Sequence, residues 1–176
     1  MAKVGASPVS LPGGQIYENL VSGAIDATEW VGPYNDYFLK FYEAAKYYYW
    51  PGMHEPGGFI SFGLNKPWWS KLSKSEQLII ESCCVQECEL MMSEVNALNG
   101  TYLERLIKEH GVQLREFSDE IYDSFGKAAQ AVFDETRSHS PLANKVYESF
   151  IAARKTVGGW LKISDIARSE EHTSEL

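Results

Sequence analysis

The sequence predicts an α/β fold organised around one very long helix. Helical apolar stripes alternate with short strand-like runs, and Gly and Pro punctuation separates them. One capped helical pattern also continues without proline for about 35 residues, far beyond the common helix length.

The elements follow in order. Lys3 to Val9 reads as a short extended segment, which Pro8 confines to an edge or a strand end. Leu11-Pro12-Gly13-Gly14 is a turn that opens a helix near Gln15. Ile16, Leu20 and Val21 share one face of it, and Gly23 is placed to stop it. Ala24 to Trp30 is expected as a short buried strand that Gly32-Pro33 breaks. A second helix, from Pro33 to Lys46, is unusually aromatic through Tyr34, Tyr37, Phe38, Phe41 and Tyr42. Tyr47-Tyr48-Tyr49-Trp50 is strand-like and ends at Pro51-Gly52. A polar elbow, His54-Glu55-Pro56-Gly57-Gly58, leads into a further strand, Phe59 to Asn65.

Ser73-Lys74-Ser75-Glu76 is a capping box, with Ser73 as N-cap and Glu76 reaching back. The pattern then runs to about His110, and Gly111 ends it. At 1.5 Å per residue this makes a rod of roughly 50 Å, longer than the ~30 Å width of a small domain. Such a rod crosses two domains or projects from one. Val112 to Phe117 reads as a strand, and Ser118 caps a helix over Asp119 to Ser138. Ser140-Pro141 begins a last helix, with Val146, Phe150, Ile151 and Val157 as apolar positions and Gly158-Gly159 as a kink or end.

Composition narrows the function classes. A 176-residue chain with 44% hydrophobic and 23% charged residues can bury a real core. With 24 acidic against 16 basic residues it lacks the basic face that nucleic acid requires. No apolar run approaches the roughly 20 residues that span a bilayer. Met1-Ala2-Lys3-Val4-Gly5 opens no apolar segment of a signal peptide, yet the start looks internal. Cys83, Cys84 and Cys88 read as small apolar residues on a helix. Arg168 to Leu176 (RSEEHTSEL) back-translates onto the opening of a widely used short-read sequencing adapter, so protein sequence is expected to end near Ala167.

The stretch LPGGQIYENLVSGAIDATEWVGPYND resembles the periplasmic solute-binding proteins of TRAP (tripartite ATP-independent periplasmic) transporters. That family pairs a Pro-Gly-Gly helix start with a Gly-x-Ile-Asp strand. AAKYYYWPGMHEPGG is similar to the branch that binds 2-oxo acids or lactate, and the uninterrupted long helix is also a family feature. The resemblance implies a periplasmic binding protein-like (type II) fold, two α/β lobes around a cleft with the long helix as a spine. It places residues 1–72 in part of lobe II, 73–110 in the spine, and 111–167 in a returning strand and C-terminal helices. Family members are about twice as long, so the chain is expected to be a C-terminal fragment, its signal peptide and first lobe upstream.

The implied function is capture of a small 2-oxo or 2-hydroxy monocarboxylate in the periplasm, with delivery to TRAP membrane permease subunits. Such a ligand chelates a hard cation, Na⁺ or Ca²⁺, which takes oxygen donors. The resemblance makes Glu29 the carboxylate ligand and Trp30 the main-chain carbonyl donor, with its indole walling the pocket. A strand that stops at a Gly-Pro break leaves the Trp30 carbonyl without a ladder partner, free to face an ion. Glu55 is implied to face the pocket, and Tyr34 reaches toward the cleft from the start of its helix. The family's ligand-clamping Arg and a Gln cation ligand would lie upstream, so the chain by itself is expected to bind ligand poorly. Some relatives exchange a C-terminal helix, which makes Pro141 to Lys162 the candidate homodimer element.

Two other function classes compete with this reading. Glu29 and Glu55 as an acid/base pair would suit an enzyme, but no nucleophile motif, phosphate loop or zinc motif accompanies them, so no enzyme is expected. A helical interaction protein without a small-molecule ligand would use the long helix instead, and changing Glu29 would then alter nothing.

Overall fold

The computed structural model describes residues 1–52 and 61–164. They form two compact units, one of residues 9–118 and one that joins residues 1–8 to the chain from 119 onward.

In the first unit, α1 (Gly13–Ser22) starts after Pro12 and stops at Gly23, whose φ of 73° is the left-handed conformation that glycine adopts without strain. The expected aromatic helix is two pieces, α2 (Pro33–Phe38) and α3 (Phe41–Ala44). The break falls at Lys40, a non-glycine residue with φ 56°. Strand β1 (Tyr47–Trp50) follows as expected. The short helix α4 (Lys66–Trp69) is capped by Asn65, whose side chain accepts from Trp68 N at 3.0 Å. Residues 61–65 are not a strand, and the rest of that expected strand lies outside the described residues.

Helix α5 (Lys74–Lys108) is the long rod, and its capping box is complete. Ser73 Oγ accepts from Glu76 N at 3.3 Å, and Ser73 N donates to Glu76 Oε2 at 2.7 Å. Gly111, with φ 67°, turns the chain into β2 (Gln113–Glu116). β2 lies parallel to β1, in the register Tyr47 to Gln113 through Trp50 to Glu116. Two parallel strands joined through a helix make the α/β unit that the alternation of patterns predicts. The buried apolar side chains of this unit are Ile16 of α1, Phe41 of α3, Leu106 near the end of α5 and Val112 just before β2. The first half of α5 leaves Leu78, Ile79, Val85, Met91 and Met92 exposed.

Residues 24–31 are an irregular, largely exposed loop, not the buried strand that the sequence suggested. A strand needs a neighbour for its N–H and C=O groups. Among the described residues the sheet contains β1 and β2 alone.

In the second unit, α6 (Asp119–Ser138) and α7 (Pro141–Ile163) pack as a helical hairpin. Ser140 caps α7 by accepting from Ala143 N at 3.1 Å. Phe133 meets Tyr147 and Phe150 at centroid distances of 6.0 and 5.9 Å. α7 runs through Gly158 and Gly159 without interruption. Lys3 to Val9 is not extended throughout, because Ala2–Val4 forms a 3₁₀ turn that packs on α6. No helix among the described residues is long and apolar enough to cross a membrane.

Candidate functional site

The loop between α1 and α2 carries Glu29 and Trp30, and its geometry is set from below by Asp36. Asp36 is the one charged side chain among the described residues that is buried. Its Oδ1 accepts from Val31 N at 3.3 Å and Gly32 N at 3.2 Å. Its Oδ2 accepts from the Tyr48 hydroxyl at 2.6 Å. Helix α2 therefore reaches back through Asp36 to its own N-terminus, and β1 braces the contact through Tyr48.

The electrostatics follow from this burial. Removal from water pushes the Asp36 carboxyl above its ordinary range, while the hydrogen bonds from Tyr48, Val31 and Gly32 oppose the rise. Tyr48 is also raised, first by burial, then by the charge of Asp36 and their hydrogen bond, and then by the charge of Glu29. Glu29 and Asp36 thus both stand close enough to the Tyr48 phenol for their charge to raise it.

Glu29 is exposed, and its main-chain oxygen accepts from Thr28 Oγ1 at 3.3 Å. Trp30 is 40% exposed and lies outside any strand. Its indole lies against the first turn of α1, where a Cβ on Gly13 would stand 2.6 Å from Trp30 Cη2. The Pro-Gly-Gly start of α1 therefore has a local purpose, since a side chain at position 13 would displace the indole.

Tyr34, in the first turn of α2, links that helix to α5. Its N donates to Asn99 Oδ1 at 3.1 Å and its hydroxyl to Glu94 Oε1 at 2.9 Å. Its ring meets Phe38 edge-on at 5.4 Å and Tyr102 at 5.0 Å. The bond to Glu94 raises the Tyr34 phenol above its ordinary value. Glu55 and His54 lie outside the described residues.

Among the described residues, no group of three or more His, Cys, Asp or Glu side chains is arranged to hold a metal ion. A site of one carboxylate and a main-chain carbonyl is a different donor set. Its oxygens suit a hard cation in kind but fill only part of the six to eight positions that Ca²⁺ takes.

Asp36, Tyr48 and Asn99 were not singled out from the sequence. Tyr48 had a usable signal. In Tyr47-Tyr48-Tyr49 the flanking rings are exposed and Tyr48 turns inward, the alternation expected of a strand. Asp36 had a weaker one, an acid four positions after the helix-initiating Gly32.

Residues 1–139 match the family model described as bacterial extracellular solute-binding protein, family 7. The chain is 37% identical over 167 residues to the monocarboxylate 2-oxoacid-binding periplasmic protein of a Nostoc species, covering 95% of this chain and 46% of that protein. A TRAP transporter solute-binding protein from Bordetella bronchiseptica, with copurified calcium and picolinate, superposes with a TM-score of 0.92 at 30% identity. The match covers 98% of this chain and 51% of that one. A TRAP periplasmic solute-binding protein from Colwellia psychrerythraea, with bound calcium and pyruvate, gives a TM-score of 0.90 at 30% identity. It covers 97% of this chain and 52% of that one, so the chain spans about half the length of these relatives.

Proposed function

The chain belongs to family 7 of the bacterial extracellular solute-binding proteins, and on that premise we propose that it serves as a periplasmic receptor for a small 2-oxo or 2-hydroxy monocarboxylate. The ligand is held through a bound cation, Ca²⁺ or Na⁺, and is handed to TRAP membrane permease subunits. Glu29 supplies the carboxylate and Trp30 the main-chain oxygen, while the Trp30 indole, Glu55 and Tyr34 shape the ligand pocket.

One observation carries the reading. The Glu29–Trp30 step stands on a braced loop outside the sheet, in a half-chain whose fold matches proteins that hold calcium with pyruvate or picolinate. A 2-oxo acid chelates such an ion through one carboxylate oxygen and its carbonyl. Even with Glu29 bidentate, this set falls short of six oxygens, so a further donor comes from water or from another segment. Calcium is the ion in both solved neighbours, which favours it over sodium. The exposed apolar positions Val146, Phe150 and Val157 of α7 support a homodimer through Pro141 to Lys162.

The test is thermal protection of the complete gene product that contains this chain. Pyruvate with Ca²⁺ is expected to raise Tm, and Glu29→Gln is expected to abolish the rise. Protection that survives Glu29→Gln would overturn the site. A helical interaction protein predicts no protection in either form.

A further inference from the structure

We infer that Asp36, backed by Tyr48, is the positioning residue that aims the Trp30 main-chain oxygen at the cation. The inference rests on the proposed assignment of Glu29 and Trp30 to that cation. A trans peptide unit is planar, and its C=O and N–H point in opposite directions. The carbonyl of Trp30 and the N–H of Val31 belong to one such unit. Because Val31 N donates to Asp36 Oδ1 at 3.3 Å, the Trp30 oxygen is turned to the opposite side of the chain, away from the buried carboxyl. Gly32 N donates to the same oxygen at 3.2 Å, which pins the next peptide unit as well. Two successive peptide planes are fixed by one acceptor atom, so a rotation at Val31 breaks at least one of the two bonds.

The acceptor is itself held from two sides. Asp36 lies in α2, is buried, and is held at its other oxygen by the Tyr48 hydroxyl at 2.6 Å. Partners that orient a metal ligand are worth about 10–100-fold in metal affinity when removed. The chain Tyr48–Asp36–Val31 is such a partner for a main-chain ligand, where the usual case is a histidine or a carboxylate.

The experiment uses the complete gene product and measures Ca²⁺ affinity in the presence of pyruvate by calorimetry, with the ligand-free Tm recorded alongside. Asp36→Ala is expected to weaken Ca²⁺ about 10–100-fold, and Tyr48→Phe by an amount near the low end of that range. Asp36→Asn keeps an oxygen for both N–H groups and is expected to recover most of the affinity. This rescue separates positioning from charge. Asp36→Ala with wild-type Ca²⁺ affinity and a lowered Tm would reduce Asp36 to a purely structural role and overturn the inference. If Asp36→Ala does not fold, Tyr48→Phe decides, since it deletes one hydroxyl, and unchanged Ca²⁺ affinity there has the same force. Glu29→Gln is the control. If it binds Ca²⁺ like wild type, the site itself is wrongly placed. If it loses Ca²⁺ while the Asp36 and Tyr48 variants keep it, the positioning role alone fails.

Discussion

The hydroxyl of Tyr48 on β1 donates to Oδ2 of Asp36 on α2 at 2.6 Å, joining strand and helix beneath the loop that carries Glu29. Burial raises Asp36 above its ordinary value of 3.8, although Tyr48 and two main-chain N–H groups pull the other way. A carboxyl with a raised pKa keeps its proton in the folded chain after the unfolded chain has lost it. The folded state then binds more protons, so stability falls as pH rises from the ordinary carboxylate value through the raised one. Asp36→Asn lacks this titration. Its Tm relative to wild type, measured in a metal chelator, is expected to climb as pH rises through that window and to be level below about pH 3. A difference that stays constant across the acid range counts against a raised Asp36.

Gly13→Ala places a methyl where only 2.6 Å separates it from the Trp30 ring. The ring is partly exposed and can swing out, so the cost is expected at the low end of overpacking, about 1 kcal/mol. The sharper readout is optical. Tryptophan emission should shift to longer wavelength in Gly13→Ala, and the shift should vanish when Trp30→Phe is added. An unshifted spectrum would mean that the indole does not depend on the bare glycine.

Asn99→Ala removes the acceptor of Tyr34 N, a main-chain link between the start of α2 and α5. Leaving a part-buried N–H without its partner costs about 1–3 kcal/mol. Urea unfolding should show a lower midpoint with an unchanged slope. A midpoint equal to wild type would show that this bond adds nothing to the hold already given by the Tyr34 ring contacts and its hydroxyl bond to Glu94.

Val146→Glu combined with Val157→Glu puts two charges on the exposed side of α7. If α7 forms the dimer, light scattering of the complete protein should show a wild-type dimer and a monomeric variant with little change in Tm. A monomeric wild type removes the proposed dimer element.

Much of the fold was readable because its signals are local. The capping box at Ser73 and Glu76 and the stop at Gly111 bracket a helix observed from Lys74 to Lys108, close to the expected span. β1 falls on its aromatic run before Pro51-Gly52, and β2 falls within the expected strand after Gly111. The failures are non-local. Ala24 to Trp30 has strand-like residues but no neighbouring strand among the described residues, and propensity without a partner does not make a strand. The break at Lys40 depends on a left-handed lysine that no residue pattern announces. The assignment of Glu29 and Trp30 rests on the family resemblance and not on any residue pattern. The burial of Asp36 is not legible in the sequence, because an acid in a helix ordinarily reads as a solvated face and nothing local announces its bond from Tyr48.

The parallel pairing of β1 with β2 joins residues 66 positions apart, with α5 lying in the intervening chain. Nothing local draws these strands together, so closing that distance costs chain entropy before any ladder bond repays it. A rod already wound from Lys74 to Lys108 shortens the search by replacing a floppy tether with a stiff strut. The speed of folding in this half should therefore track the helicity of α5. A glycine introduced at one of its exposed mid-helix positions should slow refolding more than it accelerates unfolding.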